Sequence, residues 1–192
     1  MTRRSFLLAP AFLAQAGQPR AFPGWPPEYV DKLLTDSPWA KSIVLPYIIG
    51  RAVRTELNLT VRFSSALPIR RALALAEHGR EDAAAAVGAP PDRYIVEIGG
   101  FLATAVKQGA EGLERDFART ARLSVRGRGM LSPVEVVVPG HGMHLAARLV
   151  FPRYPDLAPG EGAIELYAES HPFVIRQAFK LPAMVYEGAL EL

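Results

Sequence analysis

The last third of the chain, residues 122–181, alternates apolar and polar side chains with a period of two. Leu123 and Val125 oppose Arg122, Ser124 and Arg126. Val134, Val136 and Val138 form the next set, and Leu145, Ala147, Leu149 and Phe151 oppose Arg148. Ile164, Leu166 and Ala168 oppose Glu165, Tyr167 and Glu169; Phe173, Ile175, Phe179 and Leu181 stand against Arg176 and Lys180. In an extended chain successive side chains point to opposite faces, so each run is a half-buried strand with one core face. The breaks are turn chemistry: Gly127-Arg128-Gly129, Pro139-Gly140-His141-Gly142, Pro159-Gly160-Glu161-Gly162 and His171-Pro172. Five runs with short connections leave no helix-length crossover of the kind parallel pairing requires. The pattern therefore predicts an antiparallel meander or sandwich.

The preceding segments supply elements to cover such a sheet. Pro27 suits the first position of a helix, Glu28 favours its positive end, and Tyr29, Val30, Leu33 and Leu34 give it an apolar face. Residues 42–55 are apolar enough for a strand, but Pro46 removes a donor from the middle and restricts it to an edge or a crossing loop. Residues 56–63 alternate cleanly as a sheet strand. Pro68 opens a helix with Ile69, Ala72, Leu73 and Ala76 on its buried stripe, and Gly79 stops it before a second, Ala-rich stretch. Tyr94, Val96 and Ile98 mark a further strand, ended by Gly99-Gly100. Residues 110–121 read as a helix with Leu113 and Phe117 inward. The expectation is a single α+β domain over residues 28–192, largely antiparallel, with two or three helices packed on the sheet.

The N-terminus carries an address rather than a fold. Arg3-Arg4 precedes an apolar stretch from Phe6 to Leu13, and Ala14-Gln15-Ala16 is the small-residue pattern a signal peptidase accepts. Residues 1–16 thus read as a cleavable signal peptide, of the twin-arginine or general secretory type, with a Pro-rich lead-in at 17–27. This places the mature protein outside the bacterial cytoplasm, periplasmic or secreted. The formal charge of +3 falls to about +1 without Arg3 and Arg4, which argues against nucleic acid as a partner. The absence of cysteine excludes disulfides, thiol nucleophiles and iron–sulfur ligation. No later segment is apolar for long enough to form a membrane-spanning helix.

Three groupings of polar residues are candidates for chemistry. His141 and His144, three apart on a glycine-flanked turn, have the ligand type and spacing to share zinc or copper, with His171 as a third ligand, and Met143 beside them would favour copper. Ser64 and Ser65 sit at a strand-to-helix turn, where a nucleophile would be presented to helix amides, but the flanking glycines of a tight elbow are missing. Glu165 and Glu169 share a strand face and read as solvated rather than as a glycosidase pair. The strand arginines Arg122, Arg126, Arg128, Arg148 and Arg176, with Tyr167, would form a basic strip able to hold an acidic polymer or an envelope protein, joined by the region of Trp25 and Trp39. No catalytic constellation can be assigned. A non-catalytic binding module is the leading expectation and a small metal-binding protein or enzyme the alternative.

The stretch Leu33-Leu34-Thr35-Asp36-Ser37-Pro38-Trp39-Ala40, the Phe151-Pro152-Arg153 after a strand and the Tyr186-Glu187-Gly188-Ala189-Leu190-Glu191-Leu192 ending resemble uncharacterised exported bacterial proteins. The resemblance implies export and carries over no catalytic residue.

Overall fold

Helix α1 (Pro27–Thr35) begins where Pro27 can use its fixed φ and missing donor, with Glu28 in the first turn and Lys32 in the last. It leads through a turn into β1 (Ala40–Ile49), which pairs with β2 (Val53–Phe63). The computed structural model describes residues 21–49, 53–106, 108–139 and 143–192, with backbone alone at 47–49 and 53–55. The signal peptide expected at residues 1–16 lies outside the described residues, as does His141.

The chain continues through α2 (Leu67–Ala86), β3 (Tyr94–Leu102), α3 (Gly109–Thr120), β4 (Arg122–Val125), β5 (Glu135–Val137), β6 (His144–Phe151), β7 (Ala163–Ser170) and β8 (Phe173–Lys180). A small hairpin, β9 (Val185–Tyr186) and β10 (Ala189–Leu190), closes it. The fold is α+β, with a five-stranded sheet in the order β1-β2-β3-β6-β5 and a three-stranded sheet in the order β4-β7-β8. Every neighbouring pair is antiparallel.

All five C-terminal runs form strands, but they do not form one meander. After β4 the chain crosses to the larger sheet, adds β5 and β6, and returns to pair β7 with β4. Their apolar faces meet the rest of the core from two sides, as a sandwich requires. Phe63 of β2 lies edge-on to Phe179 of β8, ring centres 5.0 Å apart, and Phe101 of β3 lies 5.8 Å from Phe173. Helix α1 packs against α2, β1 and β2, and α3 against β5, β6 and β7. Among the described residues nothing covers the two outer faces: Val44, Asn58, Ala146 and Arg148 are exposed on one, and Glu165, Arg176 and Ala178 on the other.

Pro46 is explained by phase. Phe63 N–H donates to Trp39 O at 2.9 Å, and the register carries that bonded pairing to every second residue. Pro46 falls on the alternate set, whose N–H would point away from β2, so β1 is an edge strand that loses no ladder bond. Gly79 interrupts α2 with φ 71°, the left-handed conformation that glycine adopts at no steric cost. One expectation fails: Gly99-Gly100 does not end β3. The strand runs on to Leu102 through a bulge between Gly99 and Phe101, with Gly100 at φ +96°.

The C-terminal tail ties the helices to the sheet. The Glu191 carboxylate accepts Leu67 N–H at 3.0 Å, placing an anion at the start of α2. The Trp39 indole N–H donates to Glu191 O at 2.8 Å. Arg71 lies between the rings of Phe22 and Tyr186 and bonds Glu187, which joins the lead-in to the tail.

Candidate ligand-binding face

Strand phase decides which expected binding residues meet. On the outer face of the smaller sheet, Arg122 pairs with Tyr167 and Tyr167 with Arg176, so three strands place Arg–Tyr–Arg in one row. The next row is Ser124, Glu165 and Ala178. Arg126 follows β4 on the same side of the alternation and is exposed, and Lys180 ends the matching side of β8. The Arg176 guanidinium lies 5.2 Å from the centre of the Tyr167 ring, a cation–π contact. Among the described residues neither Arg122, Arg126 nor Arg176 forms an ion pair with a carboxylate. Four cations, Arg122, Arg126, Arg176 and Lys180, therefore share this face with two carboxylates, Glu165 and Glu169. Ser124, Glu165, Tyr167, Arg176 and Ala178 line a depression of about 360 Å³ here.

The Tyr167 hydroxyl donates to the Glu169 carboxylate. That hydrogen bond, and then partial desolvation, hold the phenol above the ordinary tyrosine range, because ionisation would place a phenolate beside an anion. The neutral contact is therefore complete at neutral pH and is lost only as alkaline pH rises through the raised value. Replacing Glu169 by Gln removes the negative charge, so the Tyr167 phenol should titrate at lower pH than in the parent. Ultraviolet difference titration, with Tyr167→Phe to assign the signal, reads this directly; an unchanged or higher midpoint contradicts the assignment.

The other expected binding residues lie elsewhere. Arg148 is on the outer face of the larger sheet, on the opposite side of the sandwich. There it completes a row with Arg62 and Glu97: Arg62 Nε and Nη2 bond Glu97 Oε2 at 3.0 and 2.8 Å, and Arg148 Nη2 reaches Oε1 at 3.3 Å. Trp39 is not a surface residue at all. It is 5% exposed, because its ring packs in the core against Tyr186 and its one polar atom is satisfied by the tail. Trp25 is buried too. Arg128 is fixed in a loop, bonding the Glu161 carboxylate and the Pro155 and Asp156 carbonyls. The single basic strip expected from the sequence is thus divided, and Arg122, Arg126, Tyr167 and Arg176 are the part that converges.

The serines of the strand-to-helix turn serve the backbone. Ser65 Oγ accepts Ile95 N–H at 3.0 Å, Ser64 Oγ donates to Ile95 O at 3.3 Å, and both residues are buried. His144 starts β6 opposite Leu102, and His171 occupies the β7–β8 turn; both are exposed. The Phe101–Phe173 contact puts them at the same end of the sandwich. Among the described residues no three His, Asp or Glu side chains are placed to hold a metal ion. Another polar pair was not foreseen: buried Asp116 of α3 accepts the Ser170 hydroxyl at 2.9 Å, pinning α3 to the end of β7. Its only signal was an acidic residue on the inward stripe of a helix.

No family model, curated protein or solved structure matches this chain.

Proposed function

We propose that the protein is an exported bacterial binding module of the cell envelope, and that it takes an acidic ligand on the outer face of the three-stranded sheet. The observation that carries this reading is the Arg122–Tyr167–Arg176 row, in which, among the described residues, two guanidiniums without carboxylate partners flank one aromatic ring on an uncovered face. Guanidinium groups recognise carboxylates and phosphates through planar, paired donors, and an aromatic neighbour adds a flat apolar contact. Export is supported by the Arg3-Arg4 start, the apolar stretch and Ala14-Gln15-Ala16. Among the described residues no helix is long and apolar enough to cross a membrane.

Fluorescein-labelled dextran sulfate, titrated by anisotropy at low and high salt, tests the face. Binding should be present at low salt and should fade as salt screens it. The double variant Arg122→Gln, Arg176→Gln should bind about tenfold more weakly, while Arg148→Gln, on the opposite face and tied to Glu97, should change little. Equal losses from Arg148→Gln and from the double variant, or no binding at low salt, would overturn the assignment.

A further inference from the structure

The two edges of the three-stranded sheet are treated differently. On β4, Leu123 exchanges both backbone bonds with Leu131, at 2.9 and 2.8 Å, and the Tyr154 hydroxyl donates to Leu123 O at 3.2 Å. Val125 O takes Arg128 N–H at 3.0 Å. Where β4 stops short of β7, the Thr120 hydroxyl stands in for a strand: it accepts Glu169 N–H at 3.0 Å and donates to Glu169 O at 2.7 Å.

On β8 the phase is set by Leu181 N–H, which donates to Gly162 O at 2.9 Å. With the β7–β8 register, Phe173, Ile175, Gln177 and Phe179 bond to β7, whereas Val174, Arg176 and Ala178 turn their N–H and C=O groups outward. Among the described residues no strand pairs with that row. One local side chain reaches it, the Gln177 amide donating to Ala178 O at 2.9 Å. Proteins usually blunt such an edge with proline, a bulge or charge. β1 carries Pro46 on its outward set; β8 has no proline and an unbroken register, and carries Arg176 and Lys180. The edge lies between two depressions, the Tyr167–Arg176 one and another of about 390 Å³ lined by Asp36, Ser37, Pro38, Lys41, Ala178 and Lys180. Asp36 is already paired with Lys41 at 2.9 Å.

We infer that β8 accepts an extended, acidic segment of a partner protein by strand addition. The segment's backbone pairs with Val174, Arg176 and Ala178, and its carboxylates lie beside Arg176 and Lys180. This rests on the binding reading above and narrows its ligand from acidic polymers in general to a polypeptide. The charge selects the occupant: a second copy would bring another Arg176 and Lys180 along the same short seam, whereas an acidic strand meets opposite charge.

The test uses the mature chain and a labelled peptide of alternating valine and glutamate, with a valine–lysine peptide for comparison. The acidic peptide should bind at low salt and the basic one should not. Binding should slow amide exchange at Arg176 and Ala178, read by nuclear magnetic resonance. Ala178→Pro removes an outward donor and no bond to β7, so it should weaken the acidic peptide about tenfold and dextran sulfate, which needs no backbone donor, by less. Peptide binding that survives Ala178→Pro, with exchange at the edge unaltered, overturns strand addition while the anionic face stands. Failure of both dextran sulfate and peptide to bind the parent overturns the two together. A concentration-dependent dimer protected along β8 overturns the inference by giving the edge to a second copy. If Ala178→Pro does not fold, exchange protection in the parent decides.

Discussion

Phe63→Ala should destabilise the protein by about 3–5 kcal/mol, the usual range for removing a fully buried aromatic ring. Phe63 is 0% exposed, and its ring sits between the two sheets, edge-on to Tyr94 with centres 6.4 Å apart and to Phe179 at 5.0 Å. Truncation costs the transfer of the ring from water and leaves a void that neighbours on two different sheets cannot both move to fill. Tyr94 is further constrained because its hydroxyl accepts Tyr154 N–H at 3.3 Å. Phe63→Leu keeps most of the volume and should cost less than about 1.5 kcal/mol. Val174→Ala, at a side chain 46% exposed on β8, should fall within about 0.5 kcal/mol. Denaturant unfolding of the three variants with a common slope gives the comparison. A loss below about 1 kcal/mol for Phe63→Ala would mean that the two sheets do not share this ring as their contact.

Much of this architecture is legible in the residues because burial on one face of a strand leaves a period-two record. Leu123, Val125, Leu149, Ile164, Ile175 and Phe179 alternate with exposed or half-exposed neighbours and are all buried. The helix that begins at Pro27 and the break at Gly79 are legible for the same reason: each is a local steric rule. Pairing leaves no such local record. Nothing in the runs themselves says that β5 and β6 add to the larger sheet while β4 waits for β7. The candidate face suffers in the same way. Arg148 and Arg176 look equivalent as outward arginines on alternating strands, yet strand assignment sends them to opposite sides of the sandwich. The core position of Trp39 leaves no local record either, because its partner, the Glu191 carbonyl, is a backbone group from the far end of the chain. What the alternation did carry is the shared face of Arg122, Tyr167 and Arg176, since each lies on the polar side of its own strand.

Adjacent glycines make the same point about backbone geometry, and they provide the sharper experiment. Gly99 and Gly100 are indistinguishable as letters, and both read as a strand stop. In the fold Gly99 has ordinary φ, and a Cβ there would meet only Ala146 Cβ at 4.0 Å, normal van der Waals contact. Gly100 has φ +96°, and its Cβ would come within 2.4 Å of the Asn58 carbonyl oxygen and 3.4 Å of Leu59 Cα. Those atoms belong to the backbone of β2, the next strand of the sheet, and cannot rotate away. Gly100→Ala should therefore cost about 2–4 kcal/mol, from the left-handed conformation and from forced separation of β2 and β3 at the bulge. Gly99→Ala should be near neutral, within about 0.5 kcal/mol, since a strand interior loses less chain entropy with alanine than with glycine. Thermal and denaturant melts of the two variants side by side decide it. Equal effects would mean that the bulge is absent in solution; a large loss at Gly99 alone would make Gly99 the extra residue and put Gly100 opposite Ala146, with the register of Tyr94 to Ile98 unchanged. In either case the Arg62–Glu97–Arg148 row, which lies before the bulge, stays in register, as does the Arg122–Tyr167–Arg176 row on the other sheet, so the bulge can be tested without disturbing either polar face.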